Sequence, residues 1–335
     1  MLAALKKNRW SYLAMAAFLL LLILLPSQWF LGQKTFLLTL IGINTMVTVG
    51  LCLLMGYTGQ VSLGQAAFFG IGAYFSAILS TTYHVNPWLA MLIAAMGTGT
   101  FAYAIGLPIF RLRGNYLAMA TLGLGIIVWV LFKELSQYTG GPDGLGGIPN
   151  LSIGGFAFDS NLKRYFLVWF FCVCLLLIAQ NIVRSRTGRA LRAIHGSEAA
   201  AESIGINAAQ FKVKIFVLSA VYASLAGSLY AHHIHHISPS SFDFLASVTV
   251  ITMAAVGGLA SIWGAIFGAA TIKLVSDEAL VRLGQLTPRL ADLDVVLYGL
   301  ILMLVMIFMP KGLFVSLRDV YNGWRQRRTQ RGAVP

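Results

Sequence analysis

Long apolar segments recur along this chain and place the strongest limit on its fold. Trp10–Leu31 and Asp292–Pro310 are two examples, and each is long enough to cross a hydrocarbon core of roughly 30 Å as a helix. Backbone polar groups in lipid must find partners within the protein, and these segments lack the alternating polarity of barrel strands. The sequence therefore predicts an all-α polytopic membrane protein.

Composition agrees with this fold class and argues against several functions. The 335 residues are 58% hydrophobic and only 10% charged, whereas soluble domains carry about 25% charged residues. The net charge of +13 does not indicate a nucleic-acid partner, because the Lys and Arg residues cluster between apolar segments. Cys52, Cys172 and Cys174 lie in apolar segments and are predicted to be small buried hydrophobes, not disulfide or metal-binding residues.

Hydropathy and flanking charge predict about ten membrane segments in a single domain that covers residues 1–335. The N-terminus resembles a signal peptide, but its apolar run is too long, so it is interpreted as an uncleaved first span. The Gly-rich segments 66–83 and 244–258 are either full spans or re-entrant. The predicted segments are 11–31, 36–55, 66–83, 88–109, 116–135, 164–183, 212–232, 244–258, 262–280 and 292–310.

The distribution of basic residues predicts the orientation. With the N-terminus in the cytoplasm, 17 of the 24 Lys and Arg residues flank the inner ends of the segments and five flank the outer ends. This is the bias that the positive-inside rule describes. Both termini, the loop 184–210 and the basic tail 311–335 are then cytoplasmic, and the tail is suited to bind anionic membrane lipid. The Gly-rich loop 137–161 faces outward.

The polar loop 184–210 is the largest departure from the apolar pattern. Thr187 is predicted to cap one short helix, Ser197 to cap a second helix that starts at Glu198, and Gly205 to end it. Two interpretations are open. The second helix either rests on lipid headgroups as an amphipathic helix, or its small Ala-rich surface fits a groove on a soluble partner.

The same loop resembles a known pattern. Glu198-Ala199-Ala200 followed by Gly205 looks like the EAA loop of permeases in bacterial ABC importers, where it forms the coupling helix. Its context, GRALRAIHGSEAAAESIGINAAQFKVKIFVLSA, resembles the branched-chain amino acid permeases of the LivM type. Further stretches at 56–74, 111–125, 139–149 and 254–269 support that family, and the resemblance covers roughly residues 40–312. One departure from the general EAA pattern is that four residues separate Ala200 from Gly205 and no Leu-Pro follows.

This resemblance implies a subunit of an importer in the bacterial inner membrane. The importer would also contain a homologous, LivH-like second permease, two ATPase subunits and a periplasmic substrate-binding protein. ATP and Mg would bind the ATPase subunits, while this chain would hold no cofactor and catalyse no reaction. The sequence agrees in one respect, since it contains no G-x-x-x-x-G-K-[ST] phosphate-binding loop.

The resemblance also assigns two contact surfaces. Coupling to the ATPase is assigned to Arg189, Arg192, Glu198, Ala199, Ala200 and Gly205. Docking of the binding protein is assigned to Gly140, Gly141, Asp143 and Gly144 in the outer loop. A flexible connector is the alternative for that loop, because it is rich in turn-forming residues.

Two Gly-rich turns, near residues 56–65 and 254–268, are predicted at inner segment ends. Glycine at such places serves either tight helix packing or a discontinuous helix that lines a substrate path. Under the second interpretation the pathway residues are Gly59, Gln60, Ser62, Gly64, Gln65, Thr121, Gly257 and Gly258.

Ionisable residues near the outer segment ends bear on the transport class. Eight of the eleven acidic residues are predicted at or beyond these ends, namely Glu134, Asp143, Asp159, Asp243, Asp277, Glu278, Asp292 and Asp294. Ion-coupled carriers usually place an acidic residue near the midplane, so this argues against one. His232, His233, His235 and His236 are either interfacial residues or zinc ligands.

These observations predict the permease subunit of an ATP-driven importer of leucine, isoleucine, valine or other hydrophobic amino acids, working by alternating access. A related importer for urea, amides or aromatic acids is the alternative within the class. An ion-coupled secondary carrier and a channel are the alternatives from other classes.

Overall fold

A computed structural model of the protein describes residues 34–112, 114–153 and 156–286, together with the single positions 299, 300, 303, 307 and 312. The predicted first segment 11–31 lies outside the described residues, as do most of the last segment 292–310 and of the basic tail 311–335.

The described residues are predominantly helical, with four very short strands. The helices are α1 (Thr35–Leu51), α2 (Gln65–Thr81), α3 (Pro87–Ile109), α4 (Asn115–Glu134), α5 (Ser136–Thr139), α6 (Asn161–Arg184), α7 (Arg186–Gly196), α8 (Glu198–Ser203), α9 (Ala208–Ile234), α10 (Phe244–Gly257) and α11 (Ile262–Leu286). A π-helical turn, Cys52–Gly56, continues α1, and 3-10 turns cover Gly141–Asp143 and Pro239–Phe242. The strands are β1 (Leu145–Gly146), β2 (Ser152–Ile153), β3 (Phe156–Ala157) and β4 (His236–Ile237).

Five described helices are long and apolar enough to cross a membrane, namely α1 with its π-helical turn, α3, α4, α6 and α9. A sixth span is formed only if α10 and α11 act together, and they are bent by 119° relative to each other. α2 is apolar but shorter. The protein is therefore a multi-pass helical membrane protein. Five or six spanning helices are fewer than the eight segments predicted over these residues, because 66–83 and 244–258 do not form full straight spans.

Side-chain caps set where several helices begin. Asn86 caps α3 ahead of Pro87, Ser160 caps α6, and Asn207 caps α9, each accepting from a backbone N–H of the first turn. These oxygens satisfy N–H groups that have no partner within the helix. The helices run between two ends of the bundle. The loop end carries α7 and α8, and the strand end carries β1 to β4.

α9 is the central helix, and it packs against α1, α2 and α3 through small residues. A Cβ at Gly72 of α2 would collide with the Ser224 carbonyl oxygen, and one at Gly227 of α9 would collide with the Phe69 carbonyl oxygen. The backbones of α2 and α9 therefore approach closely, as expected where van der Waals packing drives helix association. The two helices run in the same direction, from the loop end towards the strand end.

The strand end is held by two antiparallel strand pairs. β1 pairs with β4, with Leu145 opposite Ile237, and β2 pairs with β3. A Cβ at Gly144, where φ is +81°, would collide with the Ile237 carbonyl oxygen, so only glycine fits this approach. The segment after α4 is consequently joined to the segment after α9.

Candidate functional site

The polar loop 184–210 folds into α7 and α8, as two short helices lying between α6 and α9. Ser197 Oγ accepts a hydrogen bond from the Ala200 N–H, which confirms the predicted cap of α8. The predicted cap of α7 is wrong. Ser185 Oγ accepts from the Thr187 N–H, and Thr187 lies in the first turn. A serine two residues earlier satisfies the same helix start, so residue type alone does not separate the two candidates.

The end of α8 has the hydrogen-bond pattern of a Schellman motif. The Gly205 N–H donates to the Glu202 carbonyl at 2.9 Å, and the Ile206 N–H donates to the Ala201 carbonyl at 3.1 Å. Gly205 has φ +85°, a conformation that costs a residue with a Cβ. The predicted stop at Gly205 is confirmed, and the bend it makes directs the chain into α9.

An ion pair fixes α8 against α9. Lys212 Nζ donates to Glu198 Oε2 at 2.6 Å, and the side chains are 5% and 33% exposed, respectively. Beneath it, Ile194 of α7, Ala201 of α8 and Ala208 of α9 form a small apolar core. Glu198, one of the predicted coupling residues, is therefore a structural anchor of the loop in this chain.

The outward surface of the loop consists mainly of small side chains. Ala199, Ala200 and Gly205 are exposed, and Ile204 is 73% exposed. Arg189 and Arg192 of α7 are also exposed, and Arg192 Nη1 donates to the Val183 carbonyl at 3.1 Å. The six predicted coupling residues thus belong to one fixed hairpin.

The apolar side of α7 is already covered by protein. Gly188, Leu191 and Ile194 are its buried residues. An amphipathic helix that lies on lipid needs this side to enter the headgroup region. The packing therefore leaves α7 no apolar side for lipid, while both interpretations of α8 stay open.

An extended segment, Gly59 to Gly64, connects this hairpin to the interior of the bundle. At its start, a Cβ on Gly59, where φ is +71°, would lie 2.9 Å from His195 Nδ1 of α7. After its end, Gln65 Nε2 donates to the Ser219 carbonyl at 3.2 Å and to Ser219 Oγ at 3.1 Å. Ser219 lies eleven residues into α9, about 16 Å from its start at 1.5 Å per residue. α2 thus begins inside the bundle.

Backbone contacts fix the extended segment to α4. The Leu63 N–H donates to Thr121 Oγ1 at 3.0 Å, and a Cβ at Gly64 would lie 2.6 Å from the Thr121 carbonyl oxygen. Ser62 is buried, and its Oγ has no hydrogen-bond partner among the described residues. Non-helical backbone at this depth is tolerated where protein covers it.

The two Gly-rich turns lie against each other at the loop end. Tyr57 Oη donates to the Ala260 carbonyl at 2.9 Å, and a Cβ at Gly56 would collide with the Leu259 carbonyl oxygen. Gly257 packs against Gly264 where α10 turns into α11, and Gly258 has φ +105°. Tight packing therefore explains these glycines, including Gly257 and Gly258 from the predicted pathway.

α10 is a second helix that begins inside the bundle. Asp243 Oδ1 caps it by accepting from the Ala246 N–H at 2.9 Å, and Ser247 Oγ accepts from the Ala66 N–H at 3.0 Å. The first turns of α10 and α2 are therefore adjacent. From this point α2 runs towards the strand end, where Ser76 bonds to His232, and α10 runs towards the loop end.

Asp243 corrects a prediction from the sequence. It lies beside Leu63 and Ala66, within the bundle and away from the outer ends of the spans. The chain between α9 and α10 turns back inwards through Pro239–Phe242, and Phe242 packs against Tyr74 and Phe132. This reversal is a tertiary feature that hydropathy does not register. The placement of acidic residues therefore no longer argues against an ion-coupled carrier.

A cavity of about 540 Å³ opens beside these two helix starts, between α1, α2, α10 and α11. Ala66, Asp243 and Lys273 line it, together with aliphatic residues such as Leu245 and Val248. Among the described residues, none of the eight predicted pathway residues lines this cavity, although Ala66 adjoins Gln65. A pathway role for those eight residues stays a prediction.

The Gly-rich loop at the strand end is held by histidines that the sequence left unassigned. His232 Nδ1 lies 2.7 Å from the Pro149 carbonyl oxygen, and His235 Nδ1 lies 2.8 Å from the Ile148 carbonyl oxygen. Arg164 Nη1 donates to the His233 carbonyl at 2.9 Å. Within the described residues, no cluster of His, Cys, Asp or Glu is arranged to hold a metal ion.

The four predicted docking residues lie in this same loop. Gly140, Gly141 and Gly144 all have positive φ, and Asp143 lies between them in the 3-10 turn. Thr139 Oγ1 accepts from the Gly141 N–H at 3.2 Å. These contacts define the conformation of the loop. Its role in docking stays a prediction.

These features define a multi-pass helical membrane protein with two helices that begin inside the bundle and a rigid polar hairpin at one end. The family described as the permease component of branched-chain amino acid transport systems matches residues 34–306, and the chain belongs to it. The family resemblance predicted from the sequence motifs is therefore confirmed.

Relatives agree with this assignment. The chain is 31% identical to the high-affinity branched-chain amino acid transport system permease protein LivM of Escherichia coli (strain K12), over 84% of this chain and 69% of that protein. It is 30% identical to the protein of the same name in Salmonella typhimurium, over the same shares of both chains. It is 26% identical to the high-affinity branched-chain amino acid transport system permease protein LivH of Escherichia coli (strain K12), over 85% of this chain and 95% of that protein.

Proposed function

We propose that this chain is the permease subunit of an ATP-driven importer of branched-chain amino acids in the bacterial inner membrane. It works by alternating access with a homologous second permease, two ATPase subunits and a periplasmic binding protein. ATP and Mg bind the ATPase subunits, and this chain catalyses no bond chemistry. Membership of the branched-chain permease family is the observation that carries the proposal.

The hairpin of α7 and α8 is the surface proposed to receive the ATPase subunit, so the loop end is cytoplasmic. A coupling surface must transmit force without deforming. The Glu198–Lys212 ion pair and the capped ends of α8 provide that stiffness. The exposed Ala199, Ala200 and Ile204 would enter a groove on the ATPase, since small side chains allow close approach.

The extended segment gives this force a route into the membrane. Movement of α7 displaces His195, which lies against Gly59. The segment from Gly59 to Gly64 then transmits the displacement to the start of α2. α2 is packed too closely on α9 to deform, so the two helices move together, as alternating access requires.

The strand end is proposed to face the periplasm and to receive the binding protein. The ordered loop with Gly140, Gly141, Asp143 and Gly144 is the surface proposed for this contact. Its hydrogen bonds to His232 and His235 connect it to the end of α9. Docking there would therefore act on the same central helix that the loop end acts on.

Transport by the purified complex tests the proposal. The chain is co-purified with its second permease and ATPase subunits, reconstituted into proteoliposomes, and supplied with binding protein and labelled leucine. Uptake is expected only with hydrolysable ATP on the ATPase side, and valine and isoleucine are expected to compete. If urea, an amide or an aromatic acid is taken up and leucine is not, the chain belongs to the related importer. Uptake driven by an ion gradient without ATP would overturn the ATP-driven assignment.

A further inference from the structure

A tyrosine at the loop end joins two helices that lie far apart in the chain. Tyr57 directly follows the π-helical turn that ends α1, and its side chain is 9% exposed. Its Oη donates to the Ala260 carbonyl at 2.9 Å. Ala260 lies in the elbow, residues 258–261, where α10 and α11 are bent by 119° relative to each other. The hydroxyl therefore connects the end of α1 to the elbow.

The same turn of the chain also contacts α7 of the polar hairpin. A Cβ at Gly59, two residues after Tyr57, would lie 2.9 Å from His195 Nδ1. Burial raises the pKa of the Tyr57 phenol, and the positive charge of Arg192 in α7 opposes that rise. Tyr57 thus lies between α7 on one side and the elbow on the other.

Hydrogen bonds and close packing make this turn stiff. The Gly59 N–H donates to the Met55 carbonyl at 3.0 Å, and Thr58 Oγ1 donates to the Leu54 carbonyl. A Cβ at Gly56 would collide with the Leu259 carbonyl oxygen, so the turn and the elbow touch through their backbones. A stiff turn transmits a displacement and does not absorb it. π-helical turns within α-helices are frequent at functional positions.

Both interior helix starts are connected to this turn. The extended segment leaves it at Gly59 and leads to the start of α2. α10 ends at the elbow, and its own start lies beside α2, where Ser247 Oγ accepts from the Ala66 N–H at 3.0 Å. This contact between α2 and α10 is kept only if the two helices move together. The chain itself moves α2, so α10 needs a second connection.

We propose that Tyr57 is a positioning residue of the transport cycle, whose hydroxyl makes the elbow follow the hairpin of α7 and α8. Movement of the hairpin displaces the turn that carries Tyr57. The hydrogen bond to Ala260 then moves the elbow and α10, while the extended segment moves α2. This rests on the proposed function and assigns it the residue that keeps the two interior helices in step.

Removal of one hydroxyl tests this role in the reconstituted importer. Tyr57→Phe keeps the ring and is expected to lower leucine uptake per ATP hydrolysed by about fivefold, the effect of one lost hydrogen bond. Tyr222→Phe is the matched control, because Tyr222 Oη also donates to a backbone carbonyl, that of Leu175 at 2.8 Å. That bond joins α9 to α6 and does not involve the elbow. Both variants are expected to lower the thermal midpoint, but only Tyr57→Phe to lower uptake per ATP.

A distance measurement follows the elbow directly and does not require a Tyr57 variant to fold. Spin labels are attached at Ala260→Cys and at Thr82→Cys, whose side chains are exposed, in a chain that also carries Cys174→Ser. Cys52 and Cys172 are buried. Trapping the ATPase with ATP and vanadate is expected to change the distance between the labels while Tyr57 is present. The change is expected to be smaller with Tyr57→Phe.

The outcomes distinguish this role from the proposed function. If Tyr57→Phe and Tyr222→Phe take up equal amounts of leucine per ATP hydrolysed, the role of Tyr57 is refuted. An unchanged distance between the labels on trapping, in a complex that takes up leucine with ATP, also refutes it and leaves the proposed function intact. If the wild-type complex takes up no leucine with ATP, the proposed function fails, and the role of Tyr57 fails with it.

Discussion

Glu198 and Lys212 form an ion pair that joins α8 to α9, with 2.6 Å between Oε2 and Nζ. Lys212 is almost fully buried there, so its charge is compensated chiefly by this one carboxylate among the described contacts. The glutamate of the EAA-like pattern is thus a structural element of the hairpin. Its loss would loosen the surface around it, even where the exposed residues are unchanged.

Glu198→Lys is expected to abolish ATP-dependent uptake while the chain remains in the membrane. The substitution places a second ammonium group against buried Lys212, and loss of the pair alone costs on the order of 2 kcal/mol locally. Uptake in proteoliposomes and the amount of chain in purified membranes are the two measurements. Normal uptake by this variant would show that the hairpin needs no such anchor.

A charge exchange separates anchoring from direct contact with the ATPase. The double variant Glu198→Lys with Lys212→Glu restores opposite charges at the same two positions. If Glu198 acts only as an anchor, the double variant is expected to recover a substantial part of the uptake. If the double variant assembles normally but is inactive, the ATPase contacts the Glu198 carboxylate directly.

Gly205→Pro is expected to abolish coupling, and Gly205→Ala to weaken it. Proline cannot adopt φ +85° and lacks the N–H that donates to the Glu202 carbonyl. Alanine has space for its Cβ, but the positive φ costs it about 1 kcal/mol of conformational free energy. Gly196→Ala is the matched control, because its Cβ also meets open space and its φ is not positive. Stimulation of the ATPase by loaded binding protein is the measurement. Equal stimulation in all three variants would contradict the role of the Schellman turn.

Gly72→Ala is expected to destabilise the chain by about 1–3 kcal/mol, because the added methyl group forces α2 away from Ser224 on α9. Gly123→Ala in α4 is the matched control. Its Cβ meets nothing within 4 Å, and alanine favours helix over glycine by about 0.5–1 kcal/mol. Thermal unfolding of the purified complex in detergent measures both. A lower midpoint for Gly123→Ala than for Gly72→Ala would refute the close contact between α2 and α9.

Thr121→Val is expected to slow transport and lower the thermal midpoint. Valine has a similar shape but cannot accept the hydrogen bond from the Leu63 N–H, and an unsatisfied buried N–H costs about 1–3 kcal/mol. Thr100→Val is the control, because the Thr100 hydroxyl is exposed and donates only to Met96 of its own helix. Uptake rate at saturating leucine is the readout. Identical rates in the two variants would show that the extended segment is not held through Thr121.

Several local features could be predicted because they depend on residues near each other in the chain. The cap at Ser197 and the stop at Gly205 follow from side-chain chemistry and from glycine's freedom at positive φ. Helices lie at all eight apolar segments predicted within the described residues, but only five or six of them are able to span a membrane. The cap of α7 was assigned to Thr187 instead of Ser185, because both residue types satisfy a helix start equally well.

Other features depend on contacts between distant parts of the chain and left no local pattern. No local sequence pattern indicates that Lys212 pairs with Glu198, or that Ser247 Oγ accepts a hydrogen bond from the Ala66 N–H at the start of α2. Asp243 was placed at an outer end because hydropathy assumes that each span is continuous. The histidines near the end of α9 suggested either metal ligands or interfacial residues, yet His232 and His235 contact loop carbonyls.

Residue order alone is enough to predict a multi-pass helical membrane protein, and the motifs are enough to indicate its family. These follow from apolar length and residue spacing, which lipid and backbone hydrogen bonding restrict tightly. The folded chain was needed to show that α2 and α10 begin inside the bundle and that Asp243 and Lys273 line one cavity. Those relationships arise from close packing between helices far apart in the chain. Glycine and serine leave space for such packing, but they do not indicate which helix is the neighbour.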